Sequence, residues 1–309
     1  MTSVIKSVLL TALLSSLLLT QGATRGQESD ASPSDAKDER LASILTRVGE
    51  SVGHYQAGLF SMAFTETMKR EGLDKKLRPK GRPKEYVFDD LLLRQTSPGG
   101  REGVYAIAAR RVKTIDGKPG KQLKEGAFTC GEPNASYSDH LSFLLPKLQG
   151  DKLFSYEGET EMRGRKVFLI GALPRVRLEP EAVWKDNCFY VNGEHRLKIW
   201  VDAENFDVLR LDAQLIESVE FKSPRTFNAG FARIGPKRKL RLARSDITLL
   251  FRRVEFKEPA QTLLLPESAE SLTIIEGAGH PRVRVTQTFG DYRRYVSDVK
   301  VIEDAEPSN

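Results

Sequence analysis

The sequence predicts a mainly β protein of the α+β kind: a strongly curved antiparallel sheet or unclosed barrel, with an N-terminal amphipathic helix and a second short helix. Three observations carry this reading. Ten segments have strand character, several of them separated by turn chemistry such as Asp116-Gly117 and Met162-Arg163-Gly164-Arg165. One early segment instead repeats its apolar residues at three- and four-residue steps. The strands follow one another without the intervening helices that a parallel sheet requires.

The elements follow in chain order. Lys6 precedes an apolar run from Val8 to Thr20, about 13 residues and too short to span a bilayer as a helix. With small residues at Gly22 and Ala23, residues 1–23 are expected to be a cleaved signal peptide, the alternative being an uncleaved anchor. Residues 24–37 are rich in Ser, Asp, Glu, Gly and Pro and bury too little to order themselves, so a flexible tether is expected. Then Leu41, Ile44, Leu45, Val48, Val52, Tyr55 and Leu59 form one helical stripe. Ser34 or Asp35 can cap it, and Asp38 and Glu39 suit the dipole of its first turn. This helix either packs on the core or covers the mouth of a sheet; the spacing fits both.

Strands are expected over 60–69, 85–95, 103–114, 153–161, 166–173, 196–202, 208–221, 246–257, 271–276 and 282–295. The second helix is expected at 138–148, with Leu141, Leu144, Leu145 and Leu148 inward and Pro146 shortening or kinking it. The main body is taken as one β domain over 38–300, and 301–309 as a disordered tail.

Composition narrows the chemistry. The chain has 309 residues, 39% hydrophobic and 29% charged, with a formal net charge of +6. A basic exported protein meets anionic lipid or cell-surface polymer sooner than nucleic acid. Two basic runs, 75–84 and 233–244, lack the interleaved aromatic residues that stack bases, so nucleic acid is not expected. They read either as solvated loops or as contacts to an anionic membrane surface. In an oxidising compartment a pair of thiols is more often a disulfide than a catalytic or metal pair, and Cys130 and Cys188 are expected to form one. Such a bridge closes a loop of about 59 residues and is worth about 4 kcal/mol in the loop-entropy model. His54, His140, His195 and His280 are scattered singly, so no metal site is expected. No Gly-x-Ser-x-Gly elbow or glycine-rich phosphate cradle appears, and no catalytic residue or cofactor is assigned.

The most individual segment is Ile199-Trp200-Val201-Asp202-Ala203-Glu204-Asn205-Phe206-Asp207-Val208-Leu209-Arg210-Leu211. It resembles the strand–turn–strand hairpin of the periplasmic lipoprotein-carrier (LolA/LolB-like) superfamily and its bacterial relatives. Tyr156-Glu157-Gly158 with Gly164–Ile170 resembles the preceding hairpin of that group, and Thr286–Tyr295 its closing strand. The resemblance implies an unclosed antiparallel barrel with helices over an apolar cavity, holding lipid or lipoprotein acyl chains. No carrier residue that grips a lipoprotein finds a counterpart here. Phe168, Ile170, Ile199 and Val201 are chemically suited to line such a cavity. The chain is thus expected to be a non-enzymatic, exported envelope protein with an apolar ligand. The other reading is an interaction or structural module with a packed core and basic partner-binding loops. Oligomeric state is left open.

Overall fold

The computed structural model of the protein describes residues 33–59, 62–96, 104–120, 140–179, 181–185, 188–222, 227–228, 233–234, 239–257, 260–277 and 282–294. The expected signal peptide, most of the tether and the expected tail lie outside these residues. The helix α1 (Pro33–Leu59) is followed by β1 (Met62–Gly72), β2 (Lys84–Thr96), β3 (Val104–Ile115) and β4 (Lys118–Pro119). Two 3-10 turns, Ser142–Leu144 and Gln149–Asp151, lead into β5 (Lys152–Met162) and β6 (Arg165–Pro174). Then come β7 (Glu181–Lys185), β8 (Cys188–Asn192), β9 (His195–Asp202), β10 (Val208–Leu215) and β11 (Val219–Lys222). The chain continues through β12 (Phe227–Asn228), β13 (Arg233–Ile234), β14 (Lys239–Lys257), β15 (Ala260–Glu276) and β16 (Arg282–Arg294).

Twelve strands form one antiparallel sheet in the order β4-β3-β2-β1-β16-β15-β14-β10-β9-β6-β5, with β11 beside one end of β14. The hairpins β7–β8 and β12–β13 stand apart from it. The sheet does not close, since β4 and β5 end its two sides. The first and last strands meet in its interior, Gly72 pairing with Val283 and Met62 with Arg294. Register shifts in β1, β2, β5, β10 and twice in β14–β15 bend the strands, because a bulge adds a residue to one side of a ladder and sharpens its twist.

The curved sheet buries one face. Phe168 pairs with Val201 and Ile170 with Ile199, so these four residues share the face on which Phe64, Leu92, Leu211 and Phe251 also lie buried. Onto it α1 sets Ile44, Val48, Val52, Tyr55 and Leu59, all at most 3% exposed. The helix lies across the strands. Its Arg40 guanidinium stands 5.1 Å from the Tyr156 ring on β5, while Gly58 is so close to Leu263 of β15 that a Cβ would come within 2.9 Å. From residue 40 to 58 a helix rises about 27 Å, which matches the about 24 Å of the five strand spacings from β5 to β15.

Farther along the same face sits a buried polar cluster. Glu66 follows Met62 and Phe64 at the two-residue step of β1 and is fully buried; Asp90 on β2 is 2% exposed. Arg110 of β3 donates from Nε to Asp90 Oδ1 at 2.9 Å and from Nη2 to Glu66 as well. Gln287 Nε2 on β16 donates to Glu66 Oε1 at 2.8 Å.

Several expectations change in detail. The helix begins at Pro33, ahead of its expected caps, because proline suits the first helical position. The second helix is replaced by the two 3-10 turns, which Pro146 separates; a proline there removes a backbone donor and clashes with the preceding turn. The strand expected over 208–221 is two strands, β10 and β11. β15 begins eleven residues before its expected start, since Pro266 hides its pattern.

Candidate functional site

The hollow that the fold leaves on the buried face lies at the start of β9, the second half of β10 and the middle of β14. Leu197, Leu211, Ala213 and Ile247 form its floor. They belong together because Leu197 pairs with Ala213 and Ala213 with Ile247, which sets three apolar side chains in a row across three strands. The hollow holds about 570 Å3, within the range of small-molecule sites.

Its roof is formed by the two 3-10 turns and the residues that lead into them. Phe143 lines the hollow and stacks on Phe154, ring centroids 6.4 Å apart and planes 17° apart. The roof is tied to α1: Leu141 and Leu144 are fully buried, and Gln149 Nε2 donates to the carbonyls of Leu45 at 2.9 Å and Leu144 at 2.7 Å. The segment after β6 forms the lip with Val176 and Leu178, held by Arg175 Nε donating to the Gly150 carbonyl at 2.7 Å and Leu178 N–H donating to Glu194 at 2.8 Å. His195, also in the wall, bonds the Gly193 backbone. Burial holds its pKa below the ordinary histidine value, with Lys152 acting in the same direction against Asp246. The imidazole is therefore neutral at neutral pH, and the interior wall carries no full charge at this point.

The four residues singled out in the sequence, Phe168, Ile170, Ile199 and Val201, are at most 9% exposed and pack in the core beneath α1. They occupy the same face as the hollow's floor: Leu197 is two residues from Ile199 on β9, and Leu211 pairs with Ile199 across β10. Cys130 lies outside the described residues, and the backbone of Cys188 begins β8. Sequence reasoning missed Leu197, Ala213, Ile247 and Phe143. Alternation gives the face on which Leu197 and Ala213 fall, but not which stretch of it the helix leaves uncovered.

The Trp-Val-Asp segment has a structural explanation. The Asp202 carboxylate accepts the Glu204 and Asn205 N–H groups, both at 2.9 Å, and closes the turn from β9 to β10. Trp200 lies under the Arg210 guanidinium, 4.6 Å from its ring. A second, smaller hollow of about 260 Å3 lies between this turn and α1, lined by polar and apolar side chains alike. Within it Asp207, 5% exposed, accepts from Ser51 Oγ at 2.9 Å and Arg253 Nε at 2.5 Å. The described parts of the second basic run lie in β13 and β14, and in β14 Lys239, Arg241 and Arg244 pair with Glu220, Glu276 and Asp246. In the first run, Asp74 accepts from the Lys76 and Arg78 N–H groups and pairs with the Arg78 side chain. Among the described residues no three His, Cys, Asp or Glu side chains gather to hold a metal ion, and no helix is long and apolar enough to cross a membrane.

No family model matches the sequence, and no curated protein matches it. Several solved structures are similar in fold. A DUF1329 family protein from Desulfovibrio piger is 10% identical, with 84% of this chain and 94% of that one covered at a TM-score of 0.39. A LolA superfamily protein from Nitrosomonas europaea is 11% identical, with 85% and 97% covered at a TM-score of 0.35. The Mycobacterium tuberculosis lipoprotein LppX is 7% identical, with 83% and 98% covered at a TM-score of 0.27. At such identity, and with TM-scores below 0.5, neither family nor residue role passes from any of them to this chain.

Proposed function

We propose that this protein is an exported, non-enzymatic carrier that holds the apolar part of a lipid or similar amphiphile in the hollow floored by Leu197, Leu211, Ala213 and Ile247. One observation carries the reading: the buried face of an unclosed sheet continues, past the edge of its helical cover, into an apolar recess of about 570 Å3. Burying an alkyl chain against such a floor gains about 0.8 kcal/mol per methylene, which suits a carrier that must bind and release.

Detergent-free purification from the native envelope, followed by mass spectrometry of extracted lipid, is the direct test. A stoichiometric acyl species is expected. In parallel, a fluorescent fatty-acid probe should bind the wild type, and Ala213→Trp, which fills the floor, should weaken it by tenfold or more. A wild type that carries no lipid and ignores the probe would overturn the proposal.

A second reading, an interaction module with a packed core, draws on the filling of the sheet beneath α1 by Phe168, Ile170, Ile199 and Val201. It requires that the recess bind nothing, and the same probe experiment separates the two.

A further inference from the structure

The exposed large hydrophobic side chains among the described residues gather at one corner of the sheet. Leu148, Leu153, Leu173, Val176 and Leu178 are 39, 47, 40, 68 and 57% exposed. Leu153 and Leu173 are paired neighbours on the outer face of β5 and β6, opposite to the face that carries Phe154 and Ala172. Val176 and Leu178 follow within five residues and form the lip of the hollow. Single exposed apolar residues are ordinary on a protein surface, but a contiguous set marks a contact surface.

Basic residues interleave with them, in the order Leu173-Pro174-Arg175-Val176-Arg177-Leu178. Arg175 bonds the carbonyls of Gly150 and Lys152, at 2.7 and 3.4 Å, which fixes the guanidinium without cancelling its charge. Arg177 meets Glu217 at 3.0 Å with both side chains mostly exposed, a pairing that solvent weakens. Lys152 stands at the same rim, with Asp151 and Glu194 on the side toward the hollow, where Glu194 accepts the Leu178 N–H. Apolar tips flanked by long cationic side chains match the boundary between acyl chains and anionic headgroups, where the tips enter and the charges remain among phosphates.

We propose that this corner docks on the surface of an anionic lipid bilayer, with Leu153, Leu173, Val176 and Leu178 entering the headgroup–acyl boundary and Lys152, Arg175 and Arg177 meeting phosphate groups. Because Val176 and Leu178 are also the lip of the hollow, docking sets its mouth against the lipid, and a ligand passes without crossing water. The route rests on the carrier reading; the docking does not.

Co-sedimentation with phosphatidylcholine vesicles, with and without phosphatidylglycerol, tests it. The wild type is expected to bind the anionic vesicles, more weakly as salt is raised. Arg177→Gln should cost about fivefold at low salt, the usual worth of one charge at such a surface. Leu153→Ser with Leu173→Ser, outside the lining of the hollow, should weaken vesicle binding about tenfold and leave affinity for the soluble probe unchanged. Ala213→Trp should do the reverse, so failure of docking and failure of carriage are read separately. Wild type that ignores both vesicles, or variants that bind as it does, would overturn the docking. A dimer seen by light scattering and dissolved by the Leu variants would overturn it too, assigning the corner to a second copy of the chain.

Discussion

Asp90 is a residue whose environment changes its chemistry across the ordinary pH range. Burial pushes its carboxyl up to about 7, and Glu66 acts in the same direction against the pull of Arg110. An acid whose pKa is higher folded than unfolded holds its proton more tightly in the native state. Its contribution to stability is therefore complete below its unfolded value near 4 and is lost as pH rises toward 7. Asp90→Asn removes this loss while keeping an oxygen for Arg110. Urea unfolding at pH 5 and pH 8 should show the variant gaining on the wild type by about 1 kcal/mol or more at the higher pH. An unchanged difference between the two proteins would show that the cluster is not protonated as described. The two-residue step of Met62, Phe64, Glu66 and Met68 makes the inward position of Glu66 legible in the sequence. Its partners were not legible, because Asp90, Arg110 and Gln287 come from three other strands and only the register brings them together.

At the scale of elements, α1 tests how closely its cover fits. Gly49 faces the roof of the hollow, and a Cβ there would stand 3.0 Å from Pro146 and 3.1 Å from the Leu144 carbonyl. Gly53, one turn on, has nothing within 4 Å of the same added atom. Gly53→Ala should stabilise the protein by up to about 1 kcal/mol through helix propensity. Gly49→Val should destabilise it by about 1–3 kcal/mol by overpacking. Thermal or urea midpoints distinguish them; equal shifts would mean that the roof does not rest on the helix. The helix itself was readable from its three- and four-residue steps, since one amphipathic stripe needs no knowledge of the rest of the chain. The roof was misread, because Leu141, Leu144, Leu145 and Leu148 have helical spacing and Pro146 interrupts the backbone bonds that such spacing implies. The floor failed for a third reason: Leu197 and Ala213 become site residues only where cover is absent.

For the whole molecule, the decisive arrangement is the interior pairing of β1 with β16. A chain ending at residue 281 lacks β16 and leaves β1 and β15 each bare along one side in the middle of the sheet. Circular dichroism and size exclusion should find it unfolded or aggregated. A chain ending at residue 300 should unfold with the cooperativity of the full protein, as expected of a domain bounded there. Folding of the shorter chain to a native-like monomer would sink the idea that the two ends hold the sheet together. The antiparallel class was visible in short-range signals, alternation and turns. The meeting of the ends was not, because nothing local to Met62–Gly72 or Arg282–Arg294 marks the other as its partner.

That pairing also imposes an order in time. The chain is made from its N-terminus, so β1 waits with one side bare through the synthesis of every other strand. Until the final strand arrives, the sheet exists as two flaps with unsatisfied backbone along their facing edges, a state prone to misassociation and in need of protection. Closing the gap requires residues from both extremes of the chain, a long-range step that is slow by its topology. A product that stops short of β16 keeps the facing edges of β1 and β15 bare.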